Sequence, residues 1–457
     1  MTTNSKGFTL VELIVVMLVF GVIISIAGGA FKTILSHSTR LVKSEESNIE
    51  GLIGLEMFRH DLEQVGFGLP GSYGDAIVSY TEASTGSGTV AGRLNDAPSG
   101  VPRAVAGANN IPAGLDDTTS YSGTGSFRLL PGTDYLSIKA SSVGTNEASQ
   151  RWSYINYSSE SLGSKPPKTW QSKNLLPGDR VIILNRTFAN GVYKNTLMAD
   201  TNTTPANYWA SYSNSGLAGI YSPKSPEQFF YVYGITPSGT TPGMPFNRAD
   251  YFVGIPSTSA RIPDVCASEI DGGGNRLVGI LYKATVNHAN GKLTYMPILD
   301  CVADMQVIYG WNFRDSTGTV STDADVMGDG LIDTWSTPLN SDGTGPNTVS
   351  GAASAAQVSA ALLDPALLSA RLKTIKVYIL AQVGRRDREY TYVNTNPVTG
   401  VGATDIFVGP VDNSGRPETL TLGRVFPLKP AGGADLTHYR WKVYRLIITP
   451  KNLTTNN

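Results

Sequence analysis

The run Asp323-Ala-Asp325-Val-Met327-Gly328-Asp329-Gly330-Leu331-Ile-Asp333 is the most chemically suggestive stretch of the chain. Calcium takes six to eight oxygens, from carboxylates and backbone carbonyls, and an acidic loop with a glycine at its sharp turn supplies them. Asp325, Asp329 and Asp333 fall at EF-loop-like spacing, and Leu331 offers its carbonyl. Met327 stands where a middle Asp or Asn is usual, and Ser336 where the closing Glu belongs. The competing reading is a solvated turn whose aspartates bind local N–H groups. Cys266 and Cys301 are the only cysteines. Outside the cytoplasm they are expected to form one intramolecular bridge; two free buried thiols are the alternative. The four histidines, His37, His60, His288 and His438, are not spaced with either cysteine as a zinc set. No Gly-x-Ser-x-Gly elbow, His-Glu-x-x-His helix or Walker loop is present, so catalysis has little support. The glycine-rich Asp271-Gly-Gly-Gly274-Asn275 sits in a turn-like stretch and reads as a flexible loop.

A third oddity lies near the N-terminus. From Phe8 to Phe31 only Thr9, Glu12 and Ser25 are polar. As a helix rising ~1.5 Å per residue this segment spans about 36 Å, enough for the ~30 Å core of a bilayer. An ionised Glu in hydrocarbon costs roughly a few kcal/mol, so Glu12 calls for a partner or a function. A secretory signal peptide would end in a small-residue cleavage site after a shorter apolar stretch. Here the candidate cut lies before the apolar run, at Gly7-Phe8, and the chain continues past Phe31 in a helical pattern.

Lys6-Gly7-Phe8-Thr9-Leu10-Val11-Glu12-Leu13 resembles the class III signal of type IV pilins and type II secretion pseudopilins. The resemblance implies that prepilin peptidase cuts after Gly7 and that the new terminal Phe8 is N-methylated. It also implies that Glu12 neutralises the N-terminal amine of a neighbouring subunit, so that Phe8 and Glu12 form a docking contact. An ordinary single-span anchor with a stray Glu is the plain alternative.

The helical pattern continues. Leu41/Val42, Ile49, Leu52, Leu55, Phe58, Leu62 and Val65 recur at three-, four- and seven-residue spacing, with no proline before Pro70. One helix from Phe8 to about Val65 is expected, apolar all round at first and striped later, with the stripe packed on a sheet. Gly66-Phe67-Gly68 supplies the stop. Gly21 and Gly28-Gly29 lower helix stability inside the span. The ending Phe58-Arg59-His60-Asp61-Leu62-Glu63-Gln64-Val65-Gly66-Phe67-Gly68 is similar to that of PilW-like minor pilins and J-type minor pseudopilins.

The remaining chain is long enough for two globular lobes, with 457 residues and net charge −1. No basic cluster argues for nucleic acid. Charged residues are 16%, Gly, Ser, Thr and Asn abound, and 21 Tyr with 6 Trp point to a folded β-rich protein rather than a linker. Residues 70–128 read as turn-rich without a period. Strands are expected at Tyr135–Lys139, Asp179–Leu184, Phe229–Tyr233, Arg276–Tyr282, Leu293–Met296, Met305–Tyr309, Thr374–Ala381 and Tyr439–Ile448, and a helix at Ala352–Arg371. The runs Gly132–Leu136, Gly178–Ile182, Met305–Gly310 and Ala370–Val377 resemble, in order, parts of PilW-like proteins; residues 140–175 and 195–265 read as insertions.

The expected fold is α+β: a long N-terminal helix, transmembrane and then amphipathic, packed on an antiparallel sheet with large β-rich insertions. Its expected parts are a leader (1–7), a membrane segment (8–31), an amphipathic continuation (32–68), a loop-rich extracytoplasmic lobe (69–265) and a C-terminal sheet region with the Asp-rich loop (266–457). The resemblance implies a non-enzymatic minor pilin, single-pass in the bacterial inner membrane before assembly and surface-exposed afterwards, taking part in pilus priming near the tip. Its implied partners are other minor and major pilins, prepilin peptidase and the inner-membrane assembly platform. No cofactor is required, with calcium the one candidate. A J-like pseudopilin, a pilus-tip adhesin and a membrane-anchored hydrolase are the alternatives.

Overall fold

The computed structural model describes residues 9–85, 89–117, 127–157, 166–189, 192–256 and 261–454. The chain divides into two compact units, Met1–Gly51 and Leu52–Asn457. Helix α1, Leu10–Glu63, supplies the described part of the first and opens the second.

In the first unit, Leu10–Lys32 is long and apolar enough to cross a membrane. Its large apolar side chains, from Leu10 to Phe31, are exposed, the pattern of a helix that is apolar all round. The helix runs unbroken through Gly21, Gly28 and Gly29. A Cβ at any of the three would meet nothing within 4 Å, so packing inside this chain does not require them.

In the second unit, Leu55, Phe58, Leu62 and Val65 are buried, as their three- and four-residue spacing predicts, whereas Leu52, expected on the same stripe, is exposed. Truncating a buried aromatic such as Phe58 costs about 3–5 kcal/mol in typical cores. After α1 the chain turns through Gly66 (φ +77°) and Gly68 (φ +63°). A side chain on Gly68 would also overlap the Tyr233 ring and Ser141 Oγ, so this turn needs glycine twice over.

The helix end lies on a sheet whose seven main strands are β1 (Val105–Asn109), β2 (Tyr135–Ala140), β3 (Asn247–Pro256), β4 (Gly279–Val286), β5 (Leu293–Trp311), β6 (Leu372–Val383) and β7 (Arg440–Ile448). Each pairs antiparallel with the next in chain order, a meander. Short strands at its margins bring the sheet to 12. Phe58 stacks on Tyr251 of β3, ring centroids 3.9 Å apart. Gly54 passes so close to the Ile298 carbonyl of β5 that any Cβ there would collide with it. Ile298 sits at a register irregularity beside Pro297, where the missing proline N–H is tolerated.

Three expectations need correction. β1 lies inside the stretch expected to be turn-rich; all five of its residues are buried, so no alternation marks it. Leu293–Met296 and Met305–Tyr309 are two ends of the single strand β5. The helix expected at Ala352–Arg371 is two, Ala355–Leu363 and Pro365–Arg371. Pro365 breaks it, and the Asp364 carboxylate caps the second by accepting from the N–H groups of Ala366 (2.8 Å) and Leu367 (2.9 Å).

Large excursions leave the meander at paired strand ends. Ala140 of β2 faces Asn247 of β3, Trp311 of β5 faces Leu372 of β6, and Val383 of β6 faces Arg440 of β7. The first excursion carries a five-stranded sheet with its own core of Ile155, Val181, Ile183, Phe230 and Val232. Its roots are held by the Asn247 amide, which donates to the carbonyls of Ser141 (2.7 Å) and Ile235 (3.2 Å). His288, whose pKa burial pushes down to about 4, is neutral there; it accepts from the Gly243 N–H and so donates Nε2–H to Asn247. The second excursion carries the Asp-rich loop and the two helices. The third carries the pair Asp405–Val408 and Arg424–Pro427.

Cys266 and Cys301 form the disulfide, Cα atoms 5.0 Å apart, tying the β3–β4 connection to β5. With the partners separated by 35 positions in sequence, the chain-entropy account gives it up to ~4 kcal/mol. Cys301→Ser is expected to lose about 2–4 kcal/mol of unfolding free energy, and urea denaturation of the variant should overlay that of the reduced wild type.

Candidate functional site

At the start of α1 the sequence Thr9-Leu-Val-Glu12 makes a capping box. The Glu12 N–H donates to Thr9 Oγ1 (3.4 Å), and the Thr9 N–H donates to Glu12 Oε2 (3.1 Å). The Thr9 hydroxyl also donates to the same oxygen at 3.1 Å. Glu12 therefore satisfies the helix N-terminus of its own chain and gains local hydrogen bonds where a lone carboxylate is costly. Gly7 and Phe8 lie outside the described residues.

A second constellation joins the helix end to the sheet. Asp61 is buried, and its Oδ2 accepts from the Tyr251 hydroxyl of β3 (2.6 Å) and pairs with Lys283 Nζ of β4 (2.5 Å). His60 beside it is half exposed; the Asp61 carboxylate, 3.7 Å away, raises its pKa. Sequence reading had Asp61 only as part of the helix-ending motif. Its partners follow from α1 crossing β3 and β4, which a one-dimensional pattern does not contain.

Further along, Glu82, Asp96 and Asp250 meet Arg103, Lys139 and Arg248, three acids and three bases. Lys139 Nζ is 2.8 Å from Glu82 and 2.5 Å from Asp96. Arg103 Nε donates to Asp96 (2.6 Å), and Arg248 donates to Glu82 (2.9 Å) and Asp250 (2.8 Å). Burial alone would raise the Asp96 pKa, but the charges of Lys139 and Arg103 hold it below the usual carboxylate range. The Tyr135 hydroxyl completes the set by donating to Asp250 (2.8 Å). This network pins the segment around Glu82–Arg103 onto β2 and β3. The signal was Arg248 and Asp250 at i, i+2 on a strand, which places two charges on one face.

Two other runs singled out in the sequence meet each other. Asp134 donates its N–H to the Met305 carbonyl (2.8 Å), and its carboxylate accepts from the N–H groups of Asn110 (2.9 Å) and Val307 (2.7 Å). Burial pushes its pKa up to about 8. Gln306 donates to the Gly132 carbonyl at 3.0 Å.

The structure does not gather the calcium set. Asp325 is ion-paired to Lys194 of the first excursion (3.1 Å). Asp329 Oδ1 accepts from the Leu331 N–H (2.9 Å). Asp333 accepts from the N–H groups of Phe313 (2.8 Å) and Arg314 (2.7 Å) and from the Thr334 hydroxyl (2.6 Å). Asp323 Oδ1 accepts from the Asp325 N–H (2.9 Å). Among the described residues no three His, Cys, Asp or Glu side chains gather where they would hold a metal ion. Asp325, Asp329 and Asp333 each have at least one local donor, a lysine, a backbone N–H or a hydroxyl, as aspartates in a hydrogen-bonded turn do. Lys194 and Asp325 border a cleft of about 280 Å³ walled by Leu69, Pro70, Ala366 and Leu453.

Residues 2–28 match the family described as Prokaryotic N-terminal methylation motif. No curated protein and no solved structure matches the chain. The match marks the N-terminus as a prepilin-type signal and supports a type IV pilin- or pseudopilin-like protein. Such a signal implies processing by prepilin peptidase and assembly with other pilins, and the apolar helix fits a membrane anchor before assembly.

Removing Asp61 leaves Lys283 charged and buried, so Asp61→Ala is expected to cost about 3–5 kcal/mol in urea unfolding, with partial recovery in Asp61→Leu/Lys283→Met. Calorimetric titration with calcium should give no heat and no shift in melting. Saturable heat that Asp333→Asn abolishes would mean that the loop reorganises around the ion.

Proposed function

We propose that the chain is a PilW-like minor pilin that is cleaved between Gly7 and Phe8, N-methylated on Phe8 and built into a type IV pilus, where it primes assembly at or near the tip. The observation that carries this reading is the register of Gly7, Phe8 and Glu12 ahead of a segment long enough to cross a membrane. The Phe58–Gly68 ending of the helix fits either type, and the large head agrees with a minor pilin rather than with a compact pseudopilin.

The chemistry of docking follows from Glu12. In the single chain its carboxylate accepts from the Thr9 N–H and hydroxyl, within one turn of where the new amine at Phe8 would begin. An ammonium group is a stronger partner than an amide or hydroxyl in a dry, low-dielectric setting. When a neighbouring subunit presents its Phe8 amine, Glu12 exchanges local hydrogen bonds for a charge pair, and both charges leave the hydrocarbon neutralised. The protein acts as a structural subunit, with the assembly platform of the inner membrane and other pilins as its partners.

Gly7→Ala is expected to retain the leader, read as an uncut mass in the membrane fraction. Glu12→Ala is expected to be cut normally yet missing from sheared pili. Normal cutting of the first variant together with normal incorporation of the second would sink the proposal.

A further inference from the structure

Strand β7 is registered to β6 along its whole length, from Ile448 opposite Ile375 to Arg440 opposite Val383. Among the described residues nothing pairs with its other side. A free edge presents a row of unpaired N–H and C=O groups, ready to take another strand. The strand reads Arg440-Trp-Lys442-Val-Tyr-Arg445-Leu-Ile-Ile448, three cations and no acid. Arg440 is paired with Asp387 at 3.2 Å. Lys442 and Arg445 are exposed and lie one on each face of the strand. Lys442 rests over the Tyr444 ring at 4.5 Å, and among the described residues neither cation forms an ion pair. Ile447, next to the buried Ile448, is 59% exposed.

These features decide what the edge accepts. A second copy of β7 would bring six cations together with no acid on either strand to offset them, which disfavours self-pairing. A strand alternating acidic and apolar residues would oppose Lys442 and Arg445 with carboxylates and cover Ile447. We propose that the β7 edge is a docking strand for an acidic, extended segment of a different filament subunit; this rests on the filament-subunit reading above. The edge is thereby closed to its own kind and open to an oppositely charged partner.

The test uses the full-length protein in detergent micelles and an end-blocked, fluorescein-labelled peptide of alternating Glu and Val, matched to the 9 residues of β7. The β7 amides turned away from β6 are expected to exchange hydrogen about tenfold more slowly with the peptide bound. Affinity should fall severalfold between roughly 50 and 300 mM salt. A Lys/Val peptide should not bind. Lys442→Glu/Arg445→Glu should reverse the preference, and the single variants Lys442→Gln and Arg445→Gln, checked for an intact disulfide and unchanged circular dichroism, should each weaken the acidic peptide. Unchanged exchange in β7, slowing confined to another element, or equal binding by the charge-reversed protein would overturn the proposal. Capture by phosphatidylserine vesicles through the same cations, with no peptide protection, would overturn it in favour of a lipid surface. Cleavage after Gly7 is assayed on the same preparation. Lost peptide binding with intact processing overturns the docking strand alone, and lost processing overturns the pilin reading while the edge measurement stands.

Discussion

The burial of Asp61 sets the terms for the rest of the second unit. A carboxylate on a helix that lies against a sheet must find a cation or be neutralised, and Lys283 with the Tyr251 hydroxyl meets that need from two adjacent strands. Satisfying one carboxylate from β3 and β4 fixes both the rotation of α1 about its axis and its height along the sheet. The stack of Phe58 on Tyr251 and the collision that any side chain at Gly54 would suffer at Ile298 give the same register by different physics. Attraction, stacking and steric exclusion thus agree on one placement of the helix end.

The buried six-charge network plays a corresponding role for the segment that follows. Among the described residues around Glu82–Arg103 there is a single short helix, Val90–Arg93, and no strand ladder to define a path. Electrostatic matching to Lys139 and Arg248 defines it instead. Such a network adds little net stability compared with apolar packing, yet any misplacement leaves a dry charge unpaired, so it selects one conformation sharply.

Much of this was legible in the sequence and the rest was hidden for identifiable reasons. The stripe Leu55–Val65 reports a period that solvent on one side enforces. β6, by contrast, is buried on both faces and was legible from its run of β-branched and aliphatic residues. The disulfide followed from there being two cysteines and one compartment. β1 escaped notice because a strand buried on both faces, built from Val, Ala and Gly, has no alternation to read. The charge network escaped because its members are scattered from residue 82 to residue 250, and only the closeness of Arg248 and Asp250 hints at it. At the Asp-rich loop, spacing alone does not reveal that Lys194, from a different excursion, pairs with Asp325.

The way the excursions are rooted bears on how such a head can change. Because Ala140 faces Asn247, Trp311 faces Leu372 and Val383 faces Arg440, each excursion departs and returns across one strand spacing. Loop-closure entropy grows only logarithmically, about 0.6 kcal/mol for each doubling of length. The meander is therefore a chassis with interchangeable cassettes. Whole modules can be lengthened, shortened to a tight turn or replaced between neighbouring strands, while the helix-bearing surface of β3, β4 and β5 stays as it is.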